Sequence, residues 1–488
     1  MSQRILVWIC LLILAAGAAG CSLGPHYRRP DIPAPERWEE GSPASAQMTN
    51  QTPGSPPLQE PTSPAVRTWP SAAWWRAFGS AELDDLMAQA RAANDDLAAA
   101  IARVRQADAQ VKIAGAPLLP SLDAGFDASR QRQKPGITAV PGTKPVTYNQ
   151  FDALLSASYE VDFWGQNRAA RDSARFAATA SRYDRATVEL SITTGVAVTY
   201  FQLIALHDRL NVAEQDLATA RQVLRGLSLQ ASAGIATALD VAQQETTVAV
   251  LNASIPPLRQ QLRQSVHALA LLVGKNPEDL PVPSGTLAQI TEPLVQPGLP
   301  SELLARRPDI AEAEAELMAA NADIAAARAA FFPSIDLTAD GGFASTALSS
   351  LITPASRVFA VTGAVTQQVF AGGALTGRYS LAQGRYQELL AGYHKTVIGA
   401  FGNVEDALVA FRETSEQYER QDEAVHKARR AYEMTETQLH AGTINVLTVF
   451  NTQSALFTAE DALVQVRFAR LQALVQLYGA LGGGWQRS

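Results

Sequence analysis

The chain has 488 residues, a formal net charge of −7 and a pI near 5.5, a balance that argues against nucleic acid as a partner. Its length allows two or three ordinary domains or one large elongated one. The only cysteines, Cys10 and Cys21, both lie near the N-terminus, so no structural disulfide or cysteine-based metal site is available further along.

The start reads as a secretion signal, residues 1–20: Arg4, an apolar run from Ile5 to Leu14, then "AAGAAG" and Cys21. Ten apolar residues span about 15 Å as a helix, half of a bilayer's hydrocarbon core, which suits a signal better than a membrane span. Ala18-Ala19-Gly20-Cys21 resembles a bacterial lipobox, which makes Cys21 the expected lipidated N-terminus and leaves a mature charge of 39 − 47 = −8. Ser22 after the cysteine resembles lipoproteins sent to the outer membrane. Residues 25–70, rich in Pro, Ser and Thr, read as an extended strap within a first segment, 21–80.

Next comes a phrase that occurs twice. "LLPSLDAGF" from Leu118 and "FFPSIDLTADGGF" from Phe331 align without a gap, Pro120 on Pro333. The ungapped flanks share Asp96/Asp309, Ala102/Ala315, Ala109/Ala322 and Ala116/Ala329. An internal repeat dictates architecture, and its expected halves are 81–299 and 300–488. After each phrase the chain alternates. Leu122, Ala124 and Phe126 interleave with Ser121, Asp123 and Asp127; Phe151, Ala153, Leu155, Ala157, Tyr159, Val161 and Phe163 interleave with Asp152, Ser156, Ser158, Glu160 and Asp162. In the second half Ile335, Leu337, Ala339 and Phe343 alternate with Ser334, Asp336, Thr338 and Asp340, and a partner strand is predicted over about Ser356 to Phe370. Period-two alternation fits a strand with one greasy and one wet face. On a secreted, lipidated chain this is a membrane barrel with lipid outside and water inside; a sandwich with one solvated face is the other reading.

Of 27 prolines, none lies in 146–255 or 355–488, so these tracts can hold very long helices. The first runs from about Gln166 to Ser232, meets Ala233-Gly234 and resumes near Thr237; the second runs from Ala374 to His440, meets Ala441-Gly442 and resumes near Asn445. Gly234 and Gly442 suit the left-handed position past a helix end, and Thr237 and Asn445 suit N-caps. Each tract is a helical hairpin whose first arm has roughly 67 residues, about 100 Å of helix; a coiled tube needs such lengths. Four strands cannot close around water, and lipid tolerates no open edge. The strands are therefore completed by other copies, and each phrase is the hinge where a helix ends and a strand enters the membrane.

With "CSLGPHYRRP", "PLLPSL", "YEVDFWG", "LLARRPDI", "FFPSI" and the terminal "LGGGW", the chain resembles a TolC-type outer membrane factor of the lipoprotein branch, OprM-like and NodT-like efflux proteins. The resemblance implies an α+β membrane protein: a homotrimeric twelve-stranded outer-membrane barrel, four strands per chain, continuing into a long helical coiled-coil tunnel through the periplasm. It implies an exit duct for drugs or other small molecules, with a periplasmic adaptor (membrane fusion protein) gripping the tunnel tip and an inner-membrane pump, usually of the RND type. Carried over by position, the gate residues are Leu447, Thr448 and Asn451, with Asp240 in the first hairpin; Gly234 and Gly442 mark the tips that the adaptor contacts. Asn451 stands where an Asp is common and Thr448 is not acidic, so these two positions depart from the acidic ring that the resemblance implies and leave open whether the gate is acidic elsewhere.

The residues partly support this. Asn451, Ser454, Thr458, Asp461 and Gln465 fall at helical spacing as one polar stripe, able to face a wet lumen or the solvated outside. Asp240 lies three residues after Thr237, so it equally suits a helix cap. Trp485 reads as a packing anchor. No catalytic motif is present, and His26, His207, His267, His394, His426 and His440 are scattered without ligand spacing, so no enzyme, metal or cofactor is expected. The same duct serving type I protein secretion, or a structural coiled-coil lipoprotein, are the alternatives.

Overall fold

The computed structural model describes residues 24–25, 27–39, 69–133, 145–293, 295, 298–441, 443–444 and 446–487. Cys21, His26, Gly442 and Asn445 lie outside the described residues. By contacts the chain divides into two compact units, each drawn from both halves of the sequence: one of 1–30, 103–182 and 312–393, the other of 31–102, 183–311 and 394–488.

The repeat is visible as equal lengths. Helices α1 (Ala81–Ala93) and α2 (Asp95–Gly115) lead into strands β1 (Ser121–Gln133) and β2 (Val146–Glu160), then into α3 (Gln166–Ser232) and α4 (Ala238–Leu272). Helices α5 (Pro300–Arg306) and α6 (Pro308–Ala329) lead into β3 (Ser334–Ser345) and β4 (Arg357–Thr366), then into α7 (Ala374–His440) and α8 (Val446–Ala480). The long arms α3 and α7 have 67 residues each, and α4 and α8 have 35 each.

The four strands form one antiparallel sheet in chain order. Its register sorts chemistry by face. The row Phe126–Ala153–Phe343–Arg357 is followed two residues on by Ala124–Leu155–Gly341–Phe359 and then by Leu122–Ala157–Ala339–Val361. Between them lie Gly125–Leu154–Gly342–Val358 and Asp123–Ser156–Asp340–Ala360, and Ser121–Ser158–Thr338–Thr362 follows below. One face is thus mainly apolar from Leu122 to Phe126 and across its partners, while the other carries the acids and most hydroxyls, with Ser156 Oγ donating to Asp340 Oδ1 at 2.6 Å. Phe359 and Val361 are 88% and 79% exposed, which water would penalise and hydrocarbon would not.

Aromatic packing closes the base of the sheet. Trp164 stacks on Phe332 at 4.7 Å and donates its indole N–H to the Pro333 carbonyl at 2.9 Å, tying the end of β2 to the hinge before β3. Asp162, expected on the wet face of β2, lies past the strand's end instead. Its carboxylate accepts the backbone N–H of Asn167 and of Arg168, both at 2.9 Å, and so satisfies free donors at the start of α3.

Two expectations are corrected. β4 ends at Thr366 rather than Phe370, because Thr366 pairs with Ser334 and the next partner, Pro333, has no N–H to extend the ladder. Helix α4 continues through Pro256 and Pro257, past the end of the proline-free tract at 255. Both prolines and the residues one turn before them, Asn252 and Ala253, are exposed, so water can serve the freed carbonyls. Ile255 and Leu258 are buried alongside and hold the helix in place.

In the second unit Trp74 stacks on Tyr478 at 4.9 Å over Phe78, Phe201 and Leu269. The terminal glycines belong to this core. Gly482, Gly483 and Gly484 have φ of 86°, 55° and 77°, and a Cβ on Gly484 would sit 2.2 Å from the Ser71 backbone. They let Trp485 reach Tyr183, 5.6 Å away edge to face. Gly484→Ala is expected to lower the melting temperature of the assembled protein by the equivalent of about 2 kcal/mol or more, since strain and a backbone clash coincide. An unchanged thermal melt by circular dichroism would show that this tail is not part of the core.

Candidate functional site

The hairpin tips are built by the same device twice. Past α3, Gly234 has φ 75° and the Ile235 N–H bonds to the Gln230 carbonyl at 2.9 Å; past α7, the Thr443 N–H bonds to the Gln438 carbonyl at 3.0 Å. A bond back over five residues is the Schellman closure, which satisfies carbonyls that the helix leaves free. At the start of α4, Asp240 N–H donates to Thr237 Oγ1 at 3.2 Å while the Thr237 N–H donates to Asp240 Oδ2 at 2.8 Å. The Thr237 hydroxyl and then its backbone N–H hold the Asp240 carboxyl below its usual value. Asp240 therefore closes a capping box.

On α8, Val449 and Phe450 are buried, Val449 with Tyr432 and Leu456, Phe450 with Leu227. At 3.6 residues per turn this turns Leu447, Thr448 and Asn451 to the other side, where all three are exposed and Leu447 keeps 47% of its surface. The polar stripe holds in part. Asn451, Ser454 and Thr458 line a shallow groove with Gln421 of α7, and Gln465 is exposed further along. Asp461 is drawn aside: Arg209 of α3 grips it with two hydrogen bonds, at 2.6 and 3.1 Å.

That grip belongs to a charged seam which sequence reading missed, because its partners are 252 residues apart. Beside it Arg429 of α7 pairs with Glu460 at 2.6 Å. Asp216 of α3 is 6% exposed and has no hydrogen bond among the described residues. Burial, then the nearby Glu460 and Asp461 charges, pushes its carboxyl up to about 7. Deeper still, the side chain of Gln453 is fully buried with both amide atoms unpartnered among the described residues. Among the described residues no group of three or more His, Cys, Asp or Glu is placed to hold a metal.

A sheet with one lipid-ready face and paired long hairpins in a two-fold repeat define a membrane channel with a helical tunnel. The chain belongs to the outer membrane efflux protein family, whose pattern it matches twice, over residues 86–275 and 299–483. It is 42% identical over 483 residues to the pyoverdine export outer membrane protein OpmQ of Pseudomonas putida, covering 98% of this chain and 97% of that one. It is 32% identical over 480 residues to the probable efflux pump outer membrane protein TtgC of the same species, covering 98% and 95%. Its fold superposes on the outer-membrane channel OprN with a TM-score of 0.85 at 26% identity, covering 96% and 100%. The chain is an outer membrane efflux channel of a tripartite system with a periplasmic tunnel, and the fold class expected from the sequence is the one observed.

The seam yields a pH dependence with a definite sign. A carboxyl whose folded pKa is raised loses stability as pH climbs from its free value of 3.8 through about 7. Below that window both states are neutral and the penalty vanishes. Asp216→Asn is expected to melt within about 1 kcal/mol of wild type at pH 4, where the penalty is only beginning, and to be more stable at pH 8 by about 1–3 kcal/mol. Equal melting of the two proteins at pH 8 would show that Asp216 is solvated.

Proposed function

We propose that three copies of the chain close a twelve-stranded barrel and one helical tunnel, conducting small molecules passively out of the cell. The observation that carries this is the sheet: among the described residues β1 and β4 each have one neighbour, so both edges lie open beside an apolar face. The proposed partners are a periplasmic adaptor, meeting the tips at Gly234 and Gly442, and an inner-membrane RND-type pump. Pyoverdine-like compounds are the favoured cargo, supported by the 42% identity to OpmQ. Protein secretion by the same duct is the alternative, and a mutant that exports protein but retains such compounds would select it. The two halves meet near residue 300, in keeping with the unmatched gap between 275 and 299.

Cys21 is the proposed lipid attachment point. A Cβ on Gly24 would lie 2.3 Å from Ala325 of α6, and Asn321 donates to the Pro25 carbonyl at 2.9 Å, so the strap is pressed onto the helix that leads into β3. Three residues reach about 10 Å at most, which keeps the lipid beside the strand base. Cys21→Ser is expected to lose the acyl mass in intact-protein spectra while the trimer still inserts; an unmodified wild-type chain starting elsewhere would refute the anchor.

At the tips, three copies of Leu447 form an apolar constriction that resists wetting, and Asn451 one turn on adds a neutral ring. Leu447→Ala is expected to raise single-channel conductance and sensitivity to large antibiotics. Asn451→Asp adds three like charges in a confined site and is expected to increase cation preference. Planar-bilayer recordings at matched salt test both. Wild-type conductance in the first and wild-type selectivity in the second would move the gate elsewhere.

A further inference from the structure

The apolar face of the sheet carries three arginines, all at one end. Arg130 and Arg132 pair with Asn149 and Thr147, and Arg357 pairs with Phe343, so each shares the face of Phe126, Phe359 and Val361. All three are exposed, and none of their guanidiniums has an ion pair or hydrogen bond among the described residues. The acids of the sheet, Asp123, Asp127, Asp152, Glu160, Asp336 and Asp340, occupy the opposite face. The connections 134–145 and 346–356 contain no Asp or Glu at all. Three guanidiniums thus stand on a lipid-ready surface with no counter-charge, at the end of the strands away from the helical hinges.

We propose that Arg130 and Arg132 of one copy, together with Arg357 of the next, bind the phosphate groups of a phosphorylated outer-leaflet glycolipid. This rests on barrel closure by further copies, and the register says where the arginines meet. Arg357 stands in the row of Phe126, and β1 continues beyond that row from Asp127 to Gln133. At the other end Thr362 stands in the row of Ser121, and β4 continues beyond that row from Gly363 to Thr366. Levelling the strand ends in the membrane therefore requires β4 to be staggered against the neighbouring β1, so that Arg357 faces a position from Arg130 to Gln133. Parity narrows the choice, because an odd stagger would turn the greasy face of one copy against the wet face of the next. The positions on the face of Phe126 within that range are Arg130 and Arg132. Either allowed closure brings the charges together.

Like charges on adjacent strands repel, and arginine on a lipid face is tolerated only near the headgroups, where its cost falls to roughly 0–1 kcal/mol. A phosphate resolves both problems, because the guanidinium fork pairs with two of its oxygens. A lipid fits better than free phosphate because the same face continues into Phe359 and Val361, 88% and 79% exposed, against which acyl chains can lie.

The test is native mass spectrometry of the full-length protein in detergent, titrated with bisphosphorylated lipid A, with its dephosphorylated form and with phosphatidylglycerol. Wild type is expected to hold up to three bisphosphorylated molecules per assembly, at least tenfold more tightly than either other lipid. R130Q/R132Q/R357Q is expected to lose this preference, and the triple lysine variant to keep part of it. Equal binding of all three lipids by wild type, or an undiminished preference in the glutamine variant, overturns the site. If millimolar inorganic phosphate displaces the lipid completely, the arginines hold an adventitious ion only and the proposal fails. The same spectra report copy number: single chains would refute closure, whereas intact assemblies without phosphate preference would refute the lipid site alone.

Discussion

In hydrocarbon a backbone N–H or C=O has no water to turn to, and the chain meets that constraint in an unusual way: among the described residues it supplies four strands and leaves both edges open. Much else follows. The greasy face must stay in register across β1 to β4, and it does: Leu122, Ala157, Ala339 and Val361 share one row, and Ala124, Leu155, Gly341 and Phe359 the next on that face. The polar backbone of each hinge must be satisfied where strand gives way to helix, which is the work of Asp162 at the start of α3 and of the Trp164 bond to Pro333. A barrel that needs neighbours also ties folding to assembly, so apolar residues such as Phe359 are unprotected in a lone chain.

The long helices face the opposite problem. A 67-residue arm cannot be apolar on every face, and its seam with α8 buries charge as well as carbon. Arg209 satisfies Asp461 and Arg429 satisfies Glu460, but among the described residues Asp216 is left near carboxylates with no cation of its own. Ion pairs as exposed as these contribute little to stability, and an unpaired buried acid is unfavourable. The unpartnered amide of Gln453 adds to this. A tunnel wall assembled this way is less tightly committed to one packing than the aromatic core around Trp74 and Tyr478.

The repeat explains how one sequence serves both environments. Each half brings a helix to a Pro-Ser hinge, crosses twice as strands and returns as a hairpin, with arms of equal length in the two halves. The copies have diverged where symmetry is not required. Pro256 and Pro257 lie inside α4 but have no counterpart in α8, and the first hairpin alone carries a Thr-Asp capping box among the described residues.

Local pattern determined a great deal by itself. Alternation in the strands, the absence of proline over 146–255 and 355–488, and the glycine at the first tip are readable because strand faces, helix interiors and left-handed turns are decided by neighbours in sequence. Helical spacing likewise made Asn451, Ser454 and Thr458 legible as one stripe, whereas Leu447 and Thr448 came only from the resemblance, and the burial of Val449 and Phe450 is what sets them on the exposed side of α8. Only the tertiary structure decided the rest. It showed Asp240 closing a cap, stopped β4 at Thr366 opposite the residue after Pro333, and carried α4 through two prolines that solvent tolerates. It also turned Asp461 from a stripe residue into the partner of Arg209 and left Asp216 buried near it. Those outcomes depend on which residues meet across hundreds of positions, and pairing at that distance leaves no periodic trace in a single chain.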